Sequence, residues 1–518
     1  MFRSIRTPGW PLFVTAIGLV LLSVNTVRAQ HEAMGGSTKD LGSVSPSTRA
    51  SRRATKPNIG SAPSTTPRRR TTPPATPARR TSTAAVSADE LNRQADELFD
   101  DAKYDQALDL YRKAVQSNPR IASAHYHIGW ILNDKEQYDE AIASLNQAIR
   151  VQPNYPIALV ELSYSYRNLK RYDDALEVNR QAISFKPDYA KPYYETGLIY
   201  NEQKFYAQAV DSLKLAVQYD REYADAYSEL GYAQRKLGRF PEAISAYREA
   251  IRLKPELASA HLGLGDVYYY NTKQYAQAIE AYREGVRLEP TNSTAFYNLA
   301  WSYNELSQFE NALSAANSAI RLKPEYAEPY VELGYANRKL GDKLPEKSAA
   351  AMQRFDAAID AYRNAIRLKP NYALAYSGLG DVYYSGLHNY GQAAETYRQS
   401  LRINPEDAGI QYKLGWCYND LDRYNEAIGP LREAIRLKPD YSEAYNELGY
   451  SYHALRRYSE AIEEYRRAIR LKSDYANAHY NLGLTYIALG NRNGAMEEYR
   501  ILQRLDQTQA QKLYGQMK

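Results

Sequence analysis

From Ala88 onward one closing position recurs at nearly constant spacing: Pro119, Pro153, Pro187, Arg221, Pro255, Pro290, Pro324, Pro370, Pro405, Pro439, Ser473 and Gln507. Successive members lie 34 residues apart, except for two gaps of 35 and one of 46. A period of this length means a stack of small supersecondary units, each too small to bury its apolar face alone. With the closing residue set as position 32, twelve repeats fill residues 88–509. The 518-residue length therefore does not translate into three or four globular domains.

Each repeat reads as two helices. Apolar residues three and four apart give each segment one buried stripe. Proline then closes the second helix, because it cannot continue the hydrogen-bond ladder. Arg at position 29, as in Arg150, Arg252 and Arg436, sits where the helix dipole favours a cation. Ser87 and Glu90 form a capping box at the start of the array. Position 20 is Ala in all twelve repeats and position 8 is Gly in nine, so the two helices of a hairpin can approach closely. Position 17 is aromatic in eleven, and Tyr is frequent at position 24 (Tyr111, Tyr247, Tyr362, Tyr465), filling the space between hairpins. Composition matters here: 49 Tyr stand against 9 Phe and 4 Trp, so the repeat uses Tyr again and again.

In repeat 11 the set Tyr445, Leu448, Gly449, Tyr452, Ala461, Tyr465 and Ala468 resembles the motif of the tetratricopeptide repeat (TPR) family, with only the closing proline lost at Ser473. The resemblance covers about 80% of the chain. It implies an all-α, right-handed α-solenoid of about twelve helical hairpins, with a concave groove lined by first helices. In this family, positions 2, 5, 9, 12 and 13 of the first helix face the groove. The resemblance thus implies as partner-binding residues Trp130, Asn133, Tyr164, Arg167, Asn201, Tyr232, Arg235, Trp301, Asn304, Tyr335, Arg338, Trp416, Asn419 and Tyr450. Rings offer apolar area at low entropy cost, and Asn can pair with both backbone amide and carbonyl of a guest peptide. The asparagines loosely resemble the ladder of O-GlcNAc transferase repeats, although no catalytic domain follows. Arg235 and Arg338 could meet carboxylates.

A longer period complicates that reading. Glu229-Leu230-Gly231-Tyr232, Glu332-Leu333-Gly334-Tyr335 and Glu447-Leu448-Gly449-Tyr450 head repeats 5, 8 and 11. Gly-Asp-Val-Tyr-Tyr at Gly265 and at Gly380 marks the two 35-residue repeats, whose extra residue is expected in the following turn. Duplication of three-repeat blocks would recreate the same groove residues with no ligand selecting them. Repeat 8 carries twelve extra residues around 342–353, with Pro345 at an expected first helical position. That insertion is either a docking point or a tolerated loop. Residues 510–518 are expected to form a C-terminal capping helix.

The N-terminal part is different. Arg3 and Arg6, an apolar run from Pro11 to Val24, and Val27-Arg28-Ala29 read as a signal peptide (1–29) cleaved after Ala29, which implies a secreted or periplasmic protein. The alternative is an uncleaved membrane anchor. Residues 30–87 are rich in Ser, Thr, Pro and Arg and read as a disordered linker. Residues 31–87 hold ten bases and two acids, and residues 88–518 hold 53 bases and 58 acids. The basicity therefore lies in the linker, which could touch an anionic membrane surface or cell-wall polymer. The mildly acidic repeats make nucleic acid an unlikely partner for the folded region. Protein or peptide is the expected partner, and no cofactor or metal is implied.

Catalysis finds no support. Cys417 is the lone cysteine. His125, His261 and His479 fall at packing position 4, and Gly263-Leu264-Gly265 lies within a helical hairpin rather than after a strand. The expected function is a non-catalytic protein–protein interaction scaffold. An envelope-tethering factor that uses its basic linker is the alternative.

Overall fold

The computed structural model describes residues 86–518. The signal peptide 1–29 and almost all of the 30–87 linker lie outside the described residues.

Every repeat folds as a pair of antiparallel helices. Repeat 2 is representative, with Ala122–Asp134 followed by Tyr138–Val151. Its first helix ends at a left-handed residue, Glu136 (φ 64°), and the Gln137 amide donates back to the Leu132 carbonyl at 2.8 Å. This closes a Schellman-type turn. A left-handed residue sits in the hairpin turn of other repeats too, at Ala102, Lys170, Lys204, Ser307, Asp422 and Arg456, and glycine takes the place only at Gly238 and Gly490.

The described residues divide into two compact units, one ending at Pro290 and one spanning Thr291–Lys518. Within each, helices pack in sequence order, and first helices of successive repeats also touch one another directly. Second helices meet the next repeat chiefly through its first helix. Each stack therefore presents its first helices as one continuous wall.

Packing follows the position-specific residues. The position 20 alanines, from Ala107 to Ala495, are all fully buried. A methyl group added at Gly129 would lie 2.5 Å from Leu145 Cγ, so glycine at position 8 is what lets the position 24 side chain seat. Tyr is preferred to Phe because its hydroxyl is used. Arg248 donates to the Tyr268 hydroxyl, Arg363 to Tyr383, Arg432 to Tyr452 and Arg466 to Tyr486, always 20 residues on. Lys186, Lys323, Lys369, Lys438 and Lys472 each lie over the ring of the Tyr three residues later, within 4.5–5.5 Å of its centroid.

Three details differ from expectation. The extra residue of repeats 6 and 9 is absorbed inside the first helix, as π-helical turns at Val267–Asn271 and Val382–Gly386, not in the turn that follows. In repeat 8 the first helix is lengthened to Ala327–Asp342 and the second to Ala349–Leu368. Ser348, not Pro345, opens that second helix, because its side chain accepts from the Ala351 amide. The final helix is Gln507–Met517, starting three residues before the expected position because Asp506 caps it through the Gln509 amide.

Candidate interaction wall

The wall is held together by a repeated polar latch. Asn133 donates its side-chain amide to the Glu161 carbonyl at 3.0 Å, across the boundary between repeats 2 and 3. Asn201 does the same to Glu229, Asn304 to Glu332 and Asn419 to Glu447, each 28 residues on and each also reaching the glutamate carboxylate. The asparagine oxygen is satisfied in two latches, where Ser165 donates to Asn133 and Ser451 to Asn419, both at 2.7 Å. In the other two the matching residues are Ala233 and Ala336, and the oxygens of Asn201 and Asn304 are buried without a hydrogen-bond partner.

This geometry corrects the expectation that the asparagines stand open to a guest chain. Asn133, Asn201, Asn304 and Asn419 are all buried and engaged with the next repeat. Trp130 and Trp301 are buried as well: Trp130 packs edge-on to Phe99, and Trp301 donates its indole N–H to Glu305 at 3.1 Å. Arg167 is buried between Glu195 (3.0 Å) and Glu202 (2.6 Å). Arg338 is buried beside Asp342 (3.2 Å) and Asp381, and Tyr335 is buried under its guanidinium. Side chains at positions 9 and 12 point to the wall, but duplication and inter-repeat packing have claimed most of them.

What stays accessible is aromatic. Tyr164, Tyr232, Arg235 and Trp416 are half-buried, and Tyr450 is 39% exposed. Each tyrosine leans on the position 17 ring of the preceding repeat: Tyr138 with Tyr164 at 6.3 Å, Tyr206 with Tyr232 at 6.2 Å, Tyr424 with Tyr450 at 6.0 Å. Trp416 lies 5.5 Å from both Tyr384 and Tyr412. Rings held by their neighbours and still partly accessible are suited to partner contact, because little side-chain entropy is left to lose.

Charge on the wall is strongly perturbed. Burial pushes the Glu229 and Glu447 carboxyls up to about 7, against the lowering effect of their asparagine donors. Burial would also raise Asp381, but Lys413 (2.7 Å) and Arg338 outweigh it and hold the carboxyl below the ordinary value. Burial, aided by Arg338, brings the Lys339 ammonium down to about 8. Glu332, Arg338, Asp381 and Lys413 line a cavity of about 30 Å³, room for a water molecule or two. Among the described residues no cluster of His, Cys, Asp or Glu could hold a metal, and no helix is long and apolar enough to cross a membrane. The latch glutamates at position 6 were missed by sequence reasoning, although their fixed 28-residue spacing from Asn was visible.

Such a chain is an all-α helical-hairpin repeat protein. Models described as TPR repeat match residues 231–271, 350–386 and 451–490, and models described as tetratricopeptide repeat match 262–327, 383–442 and 476–509. The chain belongs to the tetratricopeptide repeat family. A model of the C-terminal ARM domain of tetratricopeptide repeat protein 21 matches residues 80–195. No curated protein matches. Among solved structures, MamA is 28% identical over 31% of this chain and 93% of its own (TM-score 0.29). YrrB, titled a TPR protein with an unusual peptide-binding site, is 24% identical over 39% of this chain and 98% of its own (TM-score 0.33). The Cut9–Hcn1 hetero-tetramer of the APC/C is 14% identical over 84% of this chain and 97% of the other (TM-score 0.40).

Proposed function

We propose that the protein is a non-catalytic scaffold whose first-helix wall takes extended segments of partner proteins in an extracytoplasmic compartment. Membership of the TPR family supports a protein–protein interaction role. The observation that carries the finer reading is the recurrence of partly accessible rings, Tyr164 and Tyr232 on the wall of one unit and Trp416 and Tyr450 on that of the other, beside asparagines that are spent internally. Partner contact is therefore chiefly through aromatic faces, and the buried asparagines act indirectly, by setting the spacing of those faces.

The test is affinity capture with the full chain carrying Tyr232→Ala, Trp416→Ala and Tyr450→Ala. Partner recovery is expected to fall about tenfold, the loss of roughly 1.4 kcal/mol, while the thermal melt stays in place. Unchanged recovery with an intact fold refutes wall binding. The compartment rests on the Arg3/Arg6, apolar and Val27-Arg28-Ala29 sequence, and N-terminal sequencing of the native protein is expected to begin at Gln30.

A further inference from the structure

We propose that the last repeat carries a proton-operated clasp, in which a doubly protonated His479 ties the Glu498 carboxylate to the Ser473 carbonyl and holds the terminal hairpin and its capping helix closed. Loss of one ring proton releases them. The device goes beyond the scaffold reading and does not depend on it.

The protonation state follows from the two partners. Nδ1 of His479 donates to Glu498 Oε2 at 2.6 Å, and Nε2 donates to the Ser473 carbonyl at 3.2 Å. A carbonyl only accepts, and so does a carboxylate, so the two bonds together require hydrogen on both ring nitrogens. His479 is 4% exposed and Glu498 8%, so a bond lost here leaves a buried polar group unpaired. His125 and His261 stand at the same position of repeats 2 and 6 but are only half-buried. They reach the Pro119 and Pro255 carbonyls (3.0 and 2.9 Å), contacts that a neutral ring satisfies.

Glu498, from the second helix Arg492–Leu505, is the charged group that acts on the ring. Charges on the other elements around it are engaged elsewhere. Lys472 in the preceding loop lies over Tyr475, and Arg466 of the preceding second helix donates to the Tyr486 hydroxyl. Arg467 pairs with Glu463 and Glu464, and Asp506 caps the terminal helix. His453 of repeat 11 reaches Thr485 at 2.8 Å, and burial lowers it, so it stays neutral where His479 titrates. Burial also works against the His479 cation, but the bonds to Glu498 and Ser473 outweigh it and raise the ring above its ordinary 6.5. The clasp is therefore fully present below pH 6.5 and is lost as pH rises through the folded value.

Its place makes one pair of bonds decisive. An end repeat has one neighbour instead of two, so it opens before the interior ones. The capping helix Gln507–Met517 packs on both helices of that hairpin. Leu513 is fully buried against Gly483, where an added methyl would lie 2.5 Å from its Cδ2. Gln509 donates to Asn477 at 2.6 Å, two residues before His479. Parting the hairpin at His479 thus unseats the cap. Trp416 and Tyr450 lie in repeats 10 and 11, so opening shortens the wall at its end and spares those rings.

The experiment uses the full chain, with ring-¹³C histidine for NMR titration and with hydrogen exchange read by mass spectrometry at matched pH. The His479 resonance, assigned by its absence in His479→Gln, is expected to titrate above an ordinary histidine. Exchange protection of residues 476–517 in wild type, relative to Glu498→Gln, is expected to fall about threefold or more from about pH 6 to 8.5. A glutamine amide can donate to Nδ1 of a neutral ring, so that variant keeps both bonds without the extra proton. His479→Gln copies Gln411, whose side chain donates to the Pro405 carbonyl, and should likewise lose the pH dependence. A ring that titrates at or below an ordinary histidine overturns the proposal. So does protection that changes with pH alike in wild type and both variants. A loss in the variants that is the same at every pH would mark the pair as a fixed structural bond, and overturns it too.

Discussion

Asn419 of repeat 10 donates its side-chain amide to the Glu447 backbone carbonyl of repeat 11 at 3.2 Å and to that residue's carboxylate at 3.1 Å. The helix ladder already occupies most backbone groups, so the latch is an added tie between neighbouring hairpins. Asn419→Ala removes the donor shared by the Glu447 carbonyl and carboxylate and the nearer acceptor of the Ser451 hydroxyl, leaving the carboxylate only Asn446 and the hydroxyl only the Glu447 carbonyl. The expected cost is about 1–3 kcal/mol. Tyr450→Ala, at an exposed position on the same wall, should cost less than about 1 kcal/mol. Urea unfolding midpoints decide the matter, and equal stabilities for the two variants would show that the latch is idle.

The two incomplete latches invite repair. Ala233 and Ala336 occupy the place of Ser165 and Ser451, and the asparagine oxygens they face have no donor. Ala336→Ser supplies one at a site where repeats 3 and 11 already accommodate the hydroxyl. A gain of about 0.5–1.5 kcal/mol is expected, and Ala233→Ser should behave alike. If neither variant raises the urea midpoint, those oxygens are already served by buried water.

The hairpin architecture was legible because each repeat must satisfy the same packing positions, and twelve copies average out local ambiguity. Ala107 through Ala495 and the position 8 glycines therefore reported true close approaches. The wall was less legible for the same reason. Asn133 and Trp130 occupy outward register positions in a single repeat, but the neighbouring repeat turns them into interior residues. Position within one hairpin carries no information on what the next hairpin covers. The extra residue of repeats 6 and 9 was misplaced because a π-turn at Val267–Asn271 leaves no mark in apolar periodicity.

Gly378 shows packing overriding intrinsic preference. It lies inside the helix Ala373–Asp381, where Ala is normally favoured over Gly by up to about 1 kcal/mol. A methyl group there would lie 2.4 Å from Tyr362 Cε1, and one added at Gly334 would lie 2.9 Å from Tyr362 Cζ. The same clamp holds Tyr247 between Gly231 and Gly263. Gly378→Ala is expected to destabilise by about 1–3 kcal/mol. Pairing it with Tyr362→Leu, which copies the Leu145 and Leu431 found at that position elsewhere, should cost less than the sum of the single changes. Strict additivity in a double-mutant cycle would refute the clamp.

Glu447 makes the wall sensitive to pH, and the sign can be worked out. Burial raises its folded-state value from 4.5 to about 7. The folded protein thus holds the proton more tightly than the unfolded chain between those limits. Its contribution to stability is fully present below pH 4.5 and is lost as pH rises toward 7. A shift of that size corresponds to on the order of 3 kcal/mol. His127 acts in the opposite sense, since burial lowers it from 6.5 to about 4 and it costs stability as pH falls through that range. Wild-type stability alone therefore mixes these two with Glu229, which burial raises in the same way. The difference between wild type and Glu447→Gln isolates the carboxyl, because Gln keeps an oxygen for the Asn419 amide and does not ionise. The variant should gain on wild type steadily from pH 4.5 to 7 in denaturant titrations. A difference that stays flat across that window would mean that Glu447 ionises at an ordinary value and that the latch tolerates its charge.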